Sequence, residues 1–140
     1  EVVAGVSANF AAAAQLGAPI MHDFVTISMS DLLTPWDLIL KRVEAAVLGD
    51  FVITIYNPRS KGRPDHLKTA VDLMVEKGKD PKTPVGIVKN AARDGQDMWI
   101  TSLDSIDYEK VDMLTCLIIG NSKTFLKGDH MVTPRGYENK

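Results

Sequence analysis

The chain has 140 residues, of which 45% are hydrophobic and 24% are charged, and its formal net charge is −2. This length is enough for one globular domain with its own core. The small negative balance gives no electrostatic reason to bind nucleic acid, and no apolar run approaches the roughly 20 residues that a membrane span needs. We therefore expect neither a nucleic-acid nor a membrane partner.

The first predicted element is a helix. Ser7 is its expected N-cap, the helix runs from Ala8 to Leu16, and Gly17 stops it. Four consecutive alanines make this helix thin enough to press closely on a neighbouring element. The apolar pair Val2 and Val3 before it suggests a strand already in progress at Glu1, so we expect the chain to be part of a longer protein.

Residues 24–29 alternate polar and apolar side chains, which predicts a half-buried strand. Thr34 as the cap and Pro35 at the first helical position then predict a second helix, which ends at Gly49. The nearly continuous apolar run 51–55 is typical of a strand in the interior of a sheet.

The second half of the chain continues the alternation of strands and helices. Pro64 opens a helix that Gly78 closes, and Asp94-Gly95 predicts a hairpin. The remaining predictions are strands at 84–88, 98–101 and 115–119, a short helix within 105–113, and a loop or small hairpin from 123 onward. The pattern predicts one α/β domain with a five-stranded mixed sheet flanked by helices.

Four apolar runs break off into turns of small or amide-bearing residues, at 4–8, 56–60, 89–91 and 120–122. Ligands of open α/β sheets bind beyond the strand ends, where backbone donors and small side chains allow close approach. We expect the first-turn amides after Gly5 to be free for an anion. The basic segment 59–63 could bind a polyanionic ligand, or it could simply be a solvated loop.

Several kinds of site are not indicated. The single cysteine, Cys116, lies in an apolar run, which favours a buried, inert thiol and a reducing cytoplasm. His22, His66 and His130 lack metal-ligand spacing, so no metal site is expected. No catalytic triad, phosphate-binding loop or complete dinucleotide fingerprint is present.

Taken together, these motifs resemble the C-terminal part of the tetrapyrrole methylases of cobalamin synthesis, in their precorrin-3B C(17)-methyltransferase branch. The matching stretches run through nearly the whole chain: 5–8, 16–19, 22–24, 27–36, 56–60, 83–91, 111–113, 119–124 and 131–137. The stretches Ser-Asp-Leu-Leu-Thr-Pro-Trp at 30–36 and Tyr-Asn-Pro-Arg-Ser at 56–60 are the most specific. Alanine at position 4 departs from the proline that is usual there.

The resemblance implies a two-domain α/β enzyme with S-adenosylmethionine in the cleft between the domains. Residues 1–140 would be its C-terminal domain, and the glycine-rich motifs of the N-terminal domain do not occur in this sequence. The chain would then supply one half of the site, and the isolated fragment is expected to be inactive. The implied reaction is methyl transfer to C(17) of precorrin-3B or its cobalt form, with ring contraction.

The resemblance also implies site residues. The expected cofactor contacts are Ser7, Ala8, Asn57, Asn90, Ala91, Met113 and Thr115. Charge adds candidates for binding the carboxylates of the tetrapyrrole substrate: Arg59, Lys61 and Arg63, with Lys89 and Arg93. Asp23, His22 and Ser30 are the candidates for moving a proton during ring contraction, because they follow the helix that begins at the cofactor turn.

Alternatives remain open at this point. The chain could belong to another corrin or porphyrin methylase that acts at a different carbon. It could also act, as it stands, as a non-catalytic binding or dimerisation domain, or as an unrelated nucleotide-binding regulatory domain. Members of the family are commonly homodimers, so a homodimer in the cytoplasm is expected.

Overall fold

The computed structural model of the chain describes residues 1–137. Its helices and strands follow one another as α1 (Ala8–Leu16), β1 (Gly17–Ala18), β2 (Phe24–Ser28), α2 (Trp36–Leu48), β3 (Val52–Tyr56), α3 (His66–Glu76), β4 (Pro84–Lys89), β5 (Asp97–Ser102), β6 (Thr115–Ile119), β7 (Phe125–Lys127) and β8 (His130–Val132). Two short 3-10 turns, Leu103–Ser105 and Tyr108–Lys110, lie between β5 and β6.

The main sheet has five strands in the order β2-β3-β6-β4-β5. β2 and β3 run parallel to each other, whereas β6 runs antiparallel to both of its neighbours, β3 and β4. β5 returns antiparallel to β4 through the predicted hairpin. The predicted five-stranded mixed sheet is therefore confirmed, and β6, the last of the five in sequence, lies at its centre.

Side chains alternate between the two faces of the main sheet, and each face has its own hydrophobic core. On one face, the larger core packs α2 and α3 on the sheet through side chains such as Ile39, Val43 and Met74. On the other face, α1 packs through Ala12, Ala13 and Leu16. The buried face of α3 is formed by Leu67, Ala70, Val71 and Met74.

The alanines of α1 allow the helix to lie close to the sheet. Leu16 sits directly over Gly86 of β4, where an added Cβ would lie 2.4 Å from Leu16 Cδ1. Only glycine leaves room for that approach, because real Cβ atoms do not come so close to other heavy atoms. The glycine thus fixes how deeply the C-terminal end of α1 sits on the sheet.

A second, three-stranded sheet has the order β1-β8-β7. Of the two alternatives expected from residue 123 onward, a loop or a small hairpin, the structure has the hairpin, formed by β7 and β8. β8 also pairs in parallel with β1 immediately after α1. Gly17 was expected only to stop the helix, so this pairing was not predicted. It ties the end of α1 to the C-terminal hairpin.

Three local predictions are corrected. Thr34 is not the cap of α2, because Pro35 takes the N-cap position with an extended ψ of 140° and its carbonyl accepts the first helical bonds. Residues 105–113 form no α-helix, and the 3-10 turn Tyr108–Lys110 is capped by the side chain of Asp107. Val2 and Val3 are 98% and 81% exposed and lie outside any strand.

Within the described residues, no helix is both long and apolar enough to cross a membrane.

Candidate functional site

One edge of the main sheet gathers most of the predicted site residues. The parallel strands β2 and β3 end there together, with Ser28 paired to Tyr56. β4 ends at the same edge, where Lys89 pairs with Thr115, the first residue of β6. Because β6 runs antiparallel to β3 and β4, the residues that precede β6 lie at the same edge as the residues that follow β2, β3 and β4.

The turns that leave this edge have unusual backbone geometry. Asn57 and Asn90 have positive φ angles of 49° and 50°, a left-handed conformation that asparagine tolerates well. Ala92 has a φ of 57°, which is strained for a residue with a Cβ. Backbone strain of this kind is concentrated at functional sites, so the turn after β4 is a candidate ligand contact.

The N-terminal tip of α1 lies against the same edge. The backbone amide of Asn9 donates a 2.6 Å hydrogen bond to the hydroxyl oxygen of Tyr56, the last residue of β3. Burial raises the pKa of Tyr56, although the bond from Asn9 acts in the opposite direction. The phenol is therefore neutral at pH 7 and serves as the anchor of the helix tip.

The tip offers fewer free donors than expected. The amides of Phe10 and Ala11 donate to the carbonyl of Ser7, and that of Asn9 is used by Tyr56. Within the described residues, the amides of Ser7 and Ala8 are left to meet a ligand. The serine caps α1 without a side-chain hydrogen bond, so its hydroxyl is also available.

A cavity of about 440 Å³, here called the alanine cavity, lies between the α1 tip and the turn after β4. Its lining brings together five of the seven predicted cofactor contacts, namely Ala8, Asn90, Ala91, Met113 and Thr115. Four of its lining residues are alanines, at positions 8, 11, 91 and 92, and such small side chains let a flat ligand lie against the backbone. The remaining lining residues are Val6, Ala11, Tyr56, Val88, Ala92, Arg93, Leu114 and Cys116.

The other two predicted cofactor contacts line an adjoining cavity of about 400 Å³, here called the tip cavity. Its lining residues are Ser7, Ala8, Tyr56 and Asn57, so it shares two residues with the alanine cavity. The side-chain amide of Asn57 donates a 2.8 Å hydrogen bond to the hydroxyl of Ser28, which fixes the orientation of the asparagine. All seven predicted cofactor residues thus line one or other of these two adjoining cavities, which together are called the groove.

A third cavity of about 610 Å³, the loop cavity, lies beside the alanine cavity. Arg59 and Lys61 line it, together with Ser60, Pro64, Glu109, Val111, Asp112, Met113 and Leu114. Arg59 already binds protein groups through all three nitrogens, donating to the carbonyls of Pro64 and Tyr108 and to the carboxylate of Glu109. Lys61 has no such partner among residues 1–137, so it is the more available cation.

Arg63 is engaged elsewhere. Its Nη1 donates to the hydroxyl of Ser30 at 2.9 Å and to Asp31 at 3.2 Å, and the other carboxylate oxygen of Asp31 lies 3.1 Å from His66 Nε2. The hydrogen bond from His66, and then that from Arg63, holds the pKa of Asp31 below its usual range against the opposing effect of burial. This cluster joins the loop after β2 to the loop after β3.

Two predicted acid–base candidates lie away from the groove. His22 and Asp23 precede β2 and therefore sit at the opposite edge of the sheet, where the carbonyl of Asp23 accepts from the amide of Val52. A five-residue strand separates the two edges by about 13 Å. His22 instead lies 2.6 Å from the carbonyl oxygen of Arg135. Of the three candidates, Ser30 alone is at the groove edge.

The turn 120–122 also lies at the far edge, because β6 runs antiparallel to β3 and β4. There the amide and hydroxyl of Ser122 donate to the two carboxylate oxygens of Asp50. The expectation of a ligand turn after this strand is therefore wrong in placement, and three of the four predicted turns meet at one edge.

Cys116 lines the alanine cavity but is only 5% exposed. Burial raises the pKa of its thiol to about 12. The cysteine is thus a neutral, unpaired thiol at pH 7, in agreement with the predicted inert role.

Among the cavity-lining residues that were not named as expected contacts, Tyr56, Leu114 and Asp112 are the most informative. Tyr56 and Leu114 line two cavities each, and Asp112 organises the turn before β6. An aromatic residue at the end of a buried strand, directly before Asn-Pro, was the available signal for Tyr56. An acid three residues before a threonine that opens a strand was the signal for Asp112.

Comparisons with known proteins agree on a family. The sequence profile of the Tetrapyrrole (Corrin/Porphyrin) Methylases matches residues 1–107. The chain is 52% identical over 137 residues to a protein of Salmonella typhimurium named probable cobalt-factor III C(17)-methyltransferase, covering 98% of this chain and 56% of that protein. It is 38% identical over 141 residues to the precorrin-3B C(17)-methyltransferase of Sinorhizobium sp, covering 97% of this chain and 55% of that protein.

Among solved structures, the crystal structure of the methyltransferase CobJ superposes with a TM-score of 0.87 at 35% identity, covering 93% of this chain and 54% of that one. The chain therefore spans about half the length of these relatives. The similarity in three dimensions extends over 93% of this chain.

Proposed function

The chain belongs to the tetrapyrrole (corrin/porphyrin) methylases, and from this premise we propose that it supplies one wall of the active site of a cobalamin-biosynthetic C(17)-methyltransferase. The substrate class is a corrin precursor, precorrin-3B or its cobalt form, and the reaction couples methyl transfer with ring contraction. The higher identity to the relative named for cobalt-factor III, 52% against 38%, favours the cobalt-containing substrate.

The observation that carries this proposal is the convergence of seven residues on one groove. Ser7, Ala8, Asn57, Asn90, Ala91, Met113 and Thr115 come from four separate segments, and each lines the alanine cavity or the tip cavity. A random choice of surface residues would be spread over both edges and both faces of the sheet. The residues present suit S-adenosylmethionine, because alanines leave room for an adenosine and the amides at the α1 tip suit its carboxylate.

When bound, S-adenosylmethionine supplies an activated methyl group on a sulfonium, so the acceptor carbon needs no strong base to attack it. The protein residues must instead hold donor and acceptor in line. Tyr56 fixes the α1 tip, and Ser28 fixes Asn57. These contacts keep the groove preorganised, which lowers the cost of ordering it when ligands bind.

The carboxylates of the substrate are proposed to bind beside the loop cavity. Lys61 is the most available cation there. Arg59 and Arg63 are already paired with Glu109 and Asp31, so they contribute by holding the loops around the cavity in place. Arg93 adds a second exposed cation, at the rim of the alanine cavity. For proton transfer during ring contraction we retain Ser30, because the position of His22 and Asp23 removes the geometric argument for them.

The placement of residues 1–140 as a C-terminal domain, the homodimer and the cytoplasmic location stay predictions. The buried, unpaired thiol of Cys116 is compatible with a reducing compartment.

The test is a methyl-transfer assay on the whole protein that contains these residues. Incubation with S-adenosylmethionine labelled with ¹³C in its methyl group and with precorrin-3B, or its cobalt form, should place the label at C(17), as read by ¹³C NMR. Label at another carbon would favour a different corrin methylase. A complete lack of transfer, with S-adenosylhomocysteine bound, would favour a non-catalytic binding domain.

A further inference from the structure

Two apolar side chains form a ridge between the alanine cavity and the loop cavity. Met113 and Leu114 line both cavities, and they are 42% and 61% exposed. Leaving such side chains in water is unfavourable, because the burial of apolar surface is favoured. The turn that carries the ridge therefore needs local bonds to keep both side chains at the surface.

Asp112 supplies those bonds. Its Oδ1 accepts from the amide of Leu114 at 2.9 Å and from the hydroxyl of Thr115 at 3.1 Å, while its Oδ2 accepts from Lys89 Nζ at 2.5 Å. The Thr115 hydroxyl also lies 3.2 Å from the amide of Asp112, as that amide's acceptor. One carboxylate thus ties the turn to both strands of the β4–β6 pair, since Lys89 and Thr115 are register partners.

The charge state of Asp112 suits this role. Burial acts to raise the pKa of its carboxyl group, but the bonds from Lys89, from the Leu114 amide and from Thr115 outweigh burial and hold the pKa below its usual range. The carboxylate is therefore ionised, and accepts hydrogen bonds, throughout the neutral range.

We propose that Asp112 is a positioning residue of the methyltransferase site: it fixes the Met113–Leu114 ridge as the wall shared by the donor and acceptor ligands. This inference rests on the proposed function and deepens it. If the methyl donor occupies the alanine cavity and the tetrapyrrole lies beside the loop cavity, the two ligands meet across this ridge. The position of the ridge then sets the distance between donor methyl and acceptor carbon.

The chain contains a matched control at the other end of β4. Asp104 accepts from Lys82 Nζ at 2.6 Å and from the hydroxyls of Ser102 and Ser105. Asp104 thus accepts from a lysine and from hydroxyl groups, as Asp112 does. It lies at the far edge of the sheet, however, and lines none of the three cavities.

The experiment compares Asp112→Ala with Asp104→Ala in the whole protein that contains these residues, labelled with [methyl-¹³C]methionine, with the Met113 signal assigned from Met113→Leu. Spectra are recorded during titration with S-adenosylhomocysteine to millimolar concentration, so that weak binding is still measured. We expect Asp112→Ala to move the Met113 methyl signal towards that of a solvated methionine. We also expect its affinity for S-adenosylhomocysteine to fall about tenfold, equivalent to about 1.4 kcal/mol.

Asp104→Ala should leave both the Met113 signal and the affinity unchanged, even where it lowers the melting temperature. Equal Met113 signals and equal affinities in the two variants would overturn the proposal. Should Asp112→Ala not fold, Asp112→Asn, which keeps one acceptor oxygen and loses the ion pair, is measured against Asp104→Asn by the same criteria.

The failure of the proposed function has a different result. If the unmodified whole protein shows no perturbation with S-adenosylhomocysteine, the cofactor assignment fails. The positioning claim is then decided by the Met113 signal alone, and a signal that Asp112→Ala leaves unmoved overturns it.

Discussion

Leu16 of α1 packs directly on the backbone of Gly86 in β4, and a Cβ at position 86 would lie 2.4 Å from Leu16 Cδ1. This contact fixes the end of α1 that is farther from the groove, while the bond from Asn9 to Tyr56 fixes the nearer end. The groove therefore depends on packing some distance from it.

Gly86→Ala should lower the free energy of unfolding by about 1–3 kcal/mol, because the added methyl overpacks the α1–β4 contact. Urea unfolding measures the change. Gly62→Ala is the control, since a Cβ there meets no heavy atom within 4 Å. In the double variant Gly86→Ala/Leu16→Ala the losses should not add, because the smaller side chain relieves the clash. Strict additivity would contradict the contact.

Ala91→Leu should fill part of the alanine cavity and lower the affinity for S-adenosylhomocysteine by about tenfold or more, the equivalent of at least one well-placed contact. Titration of the whole protein with S-adenosylhomocysteine, followed by NMR, gives the affinity. Ala14→Leu places the same extra atoms on the exposed side of α1 and should bind as the wild type does. Undiminished binding by Ala91→Leu would show that the ligand lies elsewhere.

Thr54→Val should raise the free energy of unfolding by about 1 kcal/mol, because a buried hydroxyl without a hydrogen bond is costly. Thr54 Oγ1 is such an atom within the described part of the chain. Thr115→Val is the matched change at a buried threonine whose hydroxyl bonds to Asp112, and it should destabilise the fold. A loss of stability in Thr54→Val would indicate that its hydroxyl is satisfied after all.

The Cys116 thiol should react slowly with iodoacetamide at pH 8.5 in the folded chain and rapidly in urea, because burial raises its pKa to about 12. In the unfolded chain the thiol ionises near its ordinary value of about 8.5, so the unfolded state binds fewer protons above that pH. Stability should therefore fall as the pH rises from about 9 towards 12. Cys116→Ala should remove that part of the decline, and equal alkylation rates with and without urea would contradict burial.

Asp104 gives a prediction for acid. The hydrogen bond from Lys82, and then that from Ser102, lowers its pKa to about 2. A lowered pKa adds stability above the unfolded value of about 3.9, and this contribution disappears as the pH falls towards 2. The stability advantage of wild type over Asp104→Asn should thus be present at pH 6, where it is small because the pair is exposed, and should be largely lost at pH 2. An advantage of the same size at pH 6 and at pH 2 would contradict the lowered pKa.

Much of the fold followed from local patterns. The run of alanines between Ser7 and Gly17 predicted α1 to its last residue, and the five strands of the main sheet were each anticipated to within a residue or two. These signals are local: capping residues, periodic burial and the Asp94-Gly95 hairpin. They do not depend on which strand becomes the neighbour of which.

Strand order was the part that the sequence could not supply. Nothing in residues 115–119 indicates that this strand inserts between β3 and β4 with the opposite direction. For that reason the turn 120–122 was expected to be a ligand turn although it lies at the opposite edge, whereas Met113 and Thr115, before the strand, were indicated by the family resemblance alone. Asp23 was wrongly expected near the site for another reason. It precedes β2, whereas Ser28 ends β2, so the extended strand places the two residues at opposite edges of the sheet.

Pairing between charged residues was equally hidden. Arg59 and Arg63 were expected to be available to a ligand, but their partners Glu109 and Asp31 lie 50 and 32 residues away in sequence. Only Lys61, between them, is left without a partner among the described residues.

The alanines of α1 have a consequence for how such a groove could diversify. Ala12 and Ala13 are buried between the helix and the sheet, so their methyl groups act as a spacer of fixed thickness. A larger residue at either position would lift the helix, and the amide tip would rise with it, away from the phenol of Tyr56. Substitutions at Ala12 or Ala13 would thus change the size of ligand that the groove accepts, without altering a residue that touches the ligand.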